Sequence, residues 1–470
     1  MKIRKIKIEN NPILRNIELD FTDSEWMIFN TILFVWENGS WKSTLLDIIF
    51  DFSNYKAINS NNEKRVFEVE FSNSEIDEIN NKINELKYEK ILDNNKLIFE
   101  FDSNKWSSLY QQVFIYFINS TWKTNLEWNI FNDLKSILKS IFSDVSINFT
   151  PKKITNVSNI DTDIEVKTSL RSTENISTEI TQMLVDIDNK DSWELKNWVV
   201  NNKWLAPWDD IIEVRLKRFK NAFKEIFNDT IIYSWIENLK PIFKKWNNKI
   251  EIDKLSSWEK QIVFRWSYLL KDKESIKWAI ALIDEPEISL HPIWQQKILN
   301  FYQKLFIDNS WKQTSQLFIT THSPYLLQNF DYKKWCIFIF PWAKKLDELP
   351  TYIWEKPSIG TINYFAYHLP TIEFHNELYA YIHINFVWEN KKLEKIDEYF
   401  ENKNLFRSID WIDNKKGKKD KTYKVTLQTF IRNKIHHPEN TKMQKNNYDN
   451  EKLKKSIDEM IEIIEKEKNN

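Results

Sequence analysis

The chain has 470 residues, 42% of them hydrophobic, and its 67 Lys and Arg offset 68 Asp and Glu to leave a net charge of −1. That length accommodates roughly two to four domains with real cores, which excludes a chain disordered throughout, and the cancelled charge excludes recruitment of nucleic acid by a global field. A single cysteine, Cys336, excludes an internal disulfide and a cysteine zinc cluster and agrees with a reducing compartment.

Ile3, Ile6 and Ile8, followed by Leu14, Ile17, Leu19 and Phe21, predict two strands joined by a turn. Residues 31–35 form an apolar, β-branched run expected as a buried strand, and Leu45, Leu46, Ile48 and Ile49 begin a helix soon after. Ile76, Ile79, Ile83 and Leu86 recur at helical spacing over 75–92, an amphipathic helix too short for a long coiled-coil arm. Residues 100–240 mix strands, a polar stretch near 150–175 and a helical segment at 211–227, with no chemical motif. A denser block at 250–345 holds buried strands at 279–283 and 317–320. Beyond 350 the chain turns helical and aromatic, with lysines clustered at 415–424 and a charged helix at 450–468. The expected domains are an α/β head lobe at 1–75, a helical and mixed insertion at 76–240, the rest of the head at 241–345, and a helical C-terminal domain at 346–470. The alternating, charged N-terminus and the absence of any run of about 18 apolar residues predict a soluble, cytoplasmic protein with no membrane partner.

Three glycines stand beside 22 tryptophans, whereas glycine ordinarily makes up about 7% of a protein. Many tryptophans fall in polar turn contexts, as around Trp122, Trp311 and Trp335, where a left-handed backbone makes more sense than an indole. Reading most Trp as Gly restores an ordinary composition. The expectation is a gene in which UGA encodes glycine, so that the natural protein carries glycine at 36, 41 and 258.

Trp36, Glu37, Asn38, Gly39, Ser40, Trp41, Lys42, Ser43 and Thr44 lie between the buried strand and the helix, the context a phosphate-binding loop requires. Their spacing fits G-x-x-G-x-G-K-[ST] when 36 and 41 are glycine. Consecutive amides can wrap a phosphate only where no Cβ intrudes. Lys42 would hold the β- and γ-phosphates, Ser43 would ligate Mg²⁺, and the helix N-terminus would add partial positive charge. Asp284 and Glu285 follow an apolar strand, as a metal-holding carboxylate and a water-polarising one do. Leu255-Ser-Ser-Trp-Glu-Lys-Gln261 contains Ser256, Ser257, Trp258 and Glu259; taken alone it reads as an N-cap with glutamate three residues on. Thr320-Thr-His-Ser323 leaves a strand at His322.

In this order, with DEPEISLHPIWQQ from Asp284 and FITTHSPYLL from Phe318, the motifs resemble ABC-type ATPases of the overcoming-lysogenisation-like and structural-maintenance-of-chromosomes class. The resemblance covers 1–50 and 250–330. It implies an α/β ABC-type P-loop head that hydrolyses ATP with Mg²⁺ in a homodimer, Ser257 completing the site of the opposite subunit and His322 touching the γ-phosphate. Trp294 stands where that class tolerates real tryptophan, and Gln111 or Gln112 is a candidate for its glutamine loop. Residues 362–379 resemble a helical extension of defence-associated members, and Arg432 with His437 fits the R-x(4-6)-H pattern of HEPN ribonucleases. That chemistry needs no metal: histidine moves protons at the ribose 2′-OH and leaving oxygen while arginine stabilises the phosphorane. The implied role is antiviral or toxin-type, with an effector nuclease, tRNA or DNA as partner; the alternatives are a DNA-repair or chromosome-maintenance ATPase, an ATP-sensing scaffold, or a non-catalytic helical platform.

Overall fold

The computed structural model describes every residue except 36–40, 55–57, 59–61, 86–95, 104–112, 118–123, 126–137, 145–154, 157–169, 172–175, 203–226, 228–229, 247, 271–278, 307–312, 314, 332–333, 341, 347, 388–393, 414–419 and 470. Trp36, Glu37, Asn38, Gly39, Ser40, Gln111, Gln112, Trp122, Trp311, most of the polar stretch near 150–175, nearly all of 211–227, and the lysines of 415–419 therefore lie outside the described residues. The chain divides into two compact units, 1–326 with 331–345 and 327–330 with 346–470.

In the first unit, β1 (Lys2–Asn11) and β2 (Arg15–Asp20) pair antiparallel. Ile3 and Ile6 are both buried although strict alternation would oppose them. A register shift against β4 (Lys64–Glu70) between Ile3 and Lys5 supplies the extra residue, as a bulge does when it re-aims a strand. The sheet continues through β5 (Lys96–Asp102), β6 (Val113–Phe117) and β7 (Thr124–Asn125), in the order β2-β1-β4-β5-β6-β7.

A second sheet carries the order β16-β15-β3-β14-β13-β8-β9 among the described residues. Its members are β3 (Thr31–Val35), β8 (Ser140–Ser143), β9 (Leu170–Arg171), β13 (Ile280–Ile283), β14 (Gln316–Thr321), β15 (Trp335–Ile339) and β16 (Lys344–Leu346). From β15 to β9 every neighbouring pair is parallel. Every residue of β3, β13, β14 and β15 is buried, which explains their continuous apolar runs: a parallel strand covered on both faces has no solvent side to mark with polar residues. The two sheets share one core, in which Phe21 of the β1–β2 side meets the rings of Phe318 and Phe338 edge-on at 5.2 and 5.6 Å.

The stretch 76–240 contributes to both sheets, β5 to β7 on one and β8 and β9 on the other. It also holds the helix Ile176–Asn201, which packs against β10 (Ile231–Glu237), β11 (Lys240–Lys245) and the helix Ser257–Leu270. β10, β11 and β12 (Asn248–Glu251) form a separate antiparallel sheet. Trp335, expected as a turn residue, is buried at the first position of β15, opposite Thr31. Its strand lies inside the sheet, so the indole has a covered place that local polarity did not reveal.

The second unit is mainly helical: Ile359–Tyr367, Ile372–Phe386, Glu394–Asn402, Leu427–His436 and Asn450–Lys468. A hairpin, β17 (Ile409–Asp413) with β18 (Lys421–Val425), was not expected from the sequence. Ser358, Thr371, Thr426 and Asp449 cap four of the helices by accepting a hydrogen bond from the amide three residues on, the contact that satisfies an orphan first-turn donor. Phe374, Leu378, Ile382, Phe400, Ile431 and Met460 belong to one core. Among the described residues no helix is long and apolar enough to cross a membrane.

Candidate functional site

β14 lies between β3 and β13, and all three run parallel. Their carboxyl ends therefore open on one edge of the sheet, where α/β proteins place their ligands. Register pairs Thr321 with Val35 and Ile319 with Ile283. Residue 320 is thereby brought beside residue 284, and the start of the helix Trp41–Ser53 reaches residue 284 through Ser43.

Asp284 is held from four directions. Its Oδ2 accepts from Ser43 Oγ at 2.8 Å, and its Oδ1 accepts a short hydrogen bond from the Thr320 hydroxyl. Its amide donates to Ser143 O at 3.0 Å, and its carbonyl accepts from the fully buried Arg265 guanidinium at 2.8 Å. The same guanidinium reaches Asp144 O at 3.0 Å, so Arg265 ties the end of β13 to the end of β8. Burial pushes the Asp284 carboxyl above the usual carboxylate range, opposed by the Thr320 and Ser43 hydrogen bonds.

Glu285 adopts a left-handed backbone, φ 44°, which is uncommon for a non-glycine residue and marks a site where surroundings impose the conformation. Its amide donates to Thr320 Oγ1 at 3.1 Å. Its Oε1 meets Lys42 Nζ at 2.7 Å and His322 Nε2 at 2.7 Å, and Lys42 Nζ also contacts His322 Nε2 closely. The hydrogen bond from His322 and then that from Lys42 pull the Glu285 pKa down to about 2, against the opposing effect of burial. Burial likewise draws Lys42 below the usual lysine range, with Glu285 pulling the other way. A buried ammonium is costly without an opposite charge; here Glu285 supplies it.

The structure thus joins Lys42, Ser43, Asp284, Glu285 and His322 into one cluster. Thr44 follows on the same helix. Trp41 is partly buried against the core. Ser256 and Ser257 are exposed at the start of the helix Ser257–Leu270. Glu259 is buried and turned back, accepting from the Ser256 amide at 2.8 Å and pairing with Lys245 at 2.7 Å, which is half of a capping box. Burial works to raise its pKa, but the Lys245 and Ser256 bonds win and it is lowered. Trp258 stacks on Trp294 at 5.6 Å and approaches Phe227 at 5.8 Å.

In the second unit Arg432 lies within the helix Leu427–His436 and donates to Asn433 Oδ1 at 3.1 Å. His437 caps that helix; its half-exposed ring lies 3.3 Å from a Glu439 oxygen and 6.4 Å from the Trp411 ring. Sequence reading missed Arg265 and Glu287. The signal for Arg265 was a cation inside the apolar run Ile262-Val-Phe-Arg-Trp, and for Glu287 a third carboxylate two residues beyond Glu285.

Residues 202–327 match the family model described as an AAA ATPase domain, a span that includes β13, Asp284, Glu285, β14 and His322. The matched part of the head is thus similar to an ATPase domain. No curated protein matches the chain. Among solved structures it is similar to an SMC head bound to the C-terminal winged-helix domain of ScpA, at 12% identity and TM-score 0.41 over 73% of this chain and 96% of that one. It is also similar to the SMC head domain from Thermotoga maritima, at 12% identity and TM-score 0.37 over 73% and 97%. The Pyrococcus furiosus SMC head domain with an extended coiled coil gives 11% and 0.38 over 73% and 94%.

Proposed function

We propose that the chain is an ATP-hydrolysing switch that works as a head-to-head homodimer in an antiviral or toxin-type system. The observation that carries the ATPase chemistry is the meeting of Lys42, Ser43, Asp284, Glu285 and His322 at the carboxyl edge of β3, β14 and β13. Each has a task in phosphoryl transfer. Lys42 neutralises the β- and γ-phosphates, Glu285 orients and polarises the attacking water, and His322 contacts the γ-phosphate. Ser43 Oγ and Asp284 Oδ2 are hard oxygen donors within 2.8 Å of each other, a set that suits Mg²⁺, which keeps several waters and takes few protein ligands. Bound Mg²⁺ would neutralise charge developing on the phosphate oxygens.

Dimerisation enters because Ser256 and Ser257 are exposed at a helix start, available to cap the γ-phosphate held by another copy. The assay is Mg-ATP turnover against protein concentration, with size-exclusion chromatography of Glu285→Gln in ATP. Rising specific activity and an ATP-dependent dimer of the variant are expected; turnover unaffected by Glu285→Gln would remove the assignment.

In the C-terminal unit, Arg432 and His437 are proposed as a metal-free ribonuclease pair acting on RNA such as tRNA. Support comes from the half-exposed His437 ring at a helix end one turn beyond Arg432. The natural protein is further proposed to carry glycine at 36, 41 and 258. That reading draws support from Trp26 and Trp246, largely exposed with φ of 65° and 52°, a backbone that favours glycine. Codons at these positions decide it: UGG would overturn the proposal.

A further inference from the structure

Glu287 is buried on the turn after β13, and its two oxygens are used unequally. Oε1 accepts from the Thr321 hydroxyl at 2.8 Å and from the His322 amide at 2.7 Å. Oε2 is buried without a hydrogen-bond partner. Thr321 Oγ1 in turn accepts the Ser323 amide at 3.0 Å. One carboxyl oxygen therefore organises residues 321–323 at the point where the chain leaves β14, and the imidazole that meets Glu285 at 2.7 Å sits in the middle of that segment.

A backbone leaving a strand has no ladder to fix its direction. The direction of the His322 imidazole follows from its backbone, so whatever pins the amide aims the ring. Burial pushes the Glu287 pKa up. The task needs an acceptor oxygen, which an amide also supplies.

We infer that Glu287 is a positioning residue for ATP hydrolysis: by holding the Thr321 hydroxyl and the His322 amide, it aims the His322 imidazole at Glu285 and at the place of the γ-phosphate. The inference rests on the ATPase reading above. Misplacing a reacting group by about 1 Å costs about 100-fold in rate, so loss of the acceptor should act on turnover more than on binding.

The test uses the full chain, steady-state Mg-ATP turnover, and affinity for a fluorescent ATP analogue. Glu287→Met, similar in length but without an oxygen acceptor, should lower kcat about 10- to 100-fold while KM and analogue affinity move less than about twofold. Glu287→Gln should restore most of the rate, and Thr321→Val should fall between them. In a His322→Ala background Glu287→Met should cost less than about twofold, because residues acting as one unit do not add. The inference is overturned if Glu287→Met turns over like the unsubstituted chain, if Glu287→Gln is as slow as Glu287→Met, or if the loss in the His322→Ala background is undiminished. Should Glu287→Met fail to fold, Glu287→Gln and Thr321→Val decide: a slow Gln variant or a fully active Val variant overturns it. An unsubstituted chain without turnover would remove the ATPase reading instead. Turnover sensitive to His322→Ala and indifferent to Glu287→Met would remove this inference alone.

Discussion

At the residue scale, Lys42 and Glu285 neutralise each other inside the head, with Lys42 almost wholly buried. A nucleotide would replace the carboxylate as counter-ion to the ammonium. Glu285→Gln should therefore lower the stability of the nucleotide-free protein by about 1–3 kcal/mol, and Mg-ATP should close much of that gap in a thermal melt. The sign with pH follows from a carboxyl pulled from 4.5 down to about 2: its contribution is complete above pH 4.5 and is lost as pH falls toward 2. The difference between Glu285→Gln and the unsubstituted chain should thus shrink as pH falls from about 4.5 toward 2. A difference that vanishes at neutral pH would contradict the pairing.

Trp26 and Trp246 pose a separate question at the same scale. Left-handed backbone costs an L-residue about 1–2 kcal/mol, and glycine is free of that cost. Trp246 stands in the two-residue connection between β11 and β12, where Lys245 pairs with Asn248, a tight hairpin that wants φ > 0. Trp26→Gly and Trp246→Gly should each raise the free energy of unfolding by about 1 kcal/mol, read from denaturant midpoints. Destabilisation by either change would argue that the indole is packed to advantage.

At the scale of elements, two helices of the C-terminal unit meet where Gly360 has no side chain. A Cβ there would lie 2.9 Å from the Phe374 amide nitrogen and 3.0 Å from its Cβ. Backbone cannot yield as a flexible side chain does, so Gly360→Ala must push the helices Ile359–Tyr367 and Ile372–Phe386 apart. The expected cost is about 1–3 kcal/mol, measurable by chemical denaturation; an unchanged midpoint would show that the helices yield at this contact. Gly360 is thus a glycine that packing demands, whereas Trp26 and Trp246 occupy backbone that favours one.

At the scale of the molecule, the proposed activities rest on different compact units, the ATPase cluster within 1–345 and the Arg432 and His437 pair within 346–470. If each unit performs its own chemistry, Arg432→Ala and His437→Ala should abolish RNA cleavage and leave the basal ATPase rate within about twofold, since neither residue belongs to the ATPase cluster. Intact tRNA with the unsubstituted chain, under conditions where it hydrolyses ATP, would leave the second unit without catalytic function.

Much of the head could be read from the chain alone because its signals are local. A fully buried parallel strand must be apolar along its length, so the runs 31–35, 279–283 and 317–320 announced themselves, and polar residues at their carboxyl ends pointed to one edge. Period two revealed β1 and β2, although the bulge that brings Ile3 and Ile6 to the same face became visible only against β4. Tertiary structure decided what depends on distant partners. It drew β5 to β9 into the two sheets, because strand pairing is satisfied by neighbours far along the chain. It buried Trp335 inside a sheet and paired Asp410 with Lys424 across the unforeseen hairpin. Above all it gave Arg265 and Glu287 their work. A buried cation and a buried carboxyl acquire meaning only from the groups that satisfy them, and those groups, the carbonyls of Asp144 and Asp284 and the amide of His322, leave no mark in the order of residues.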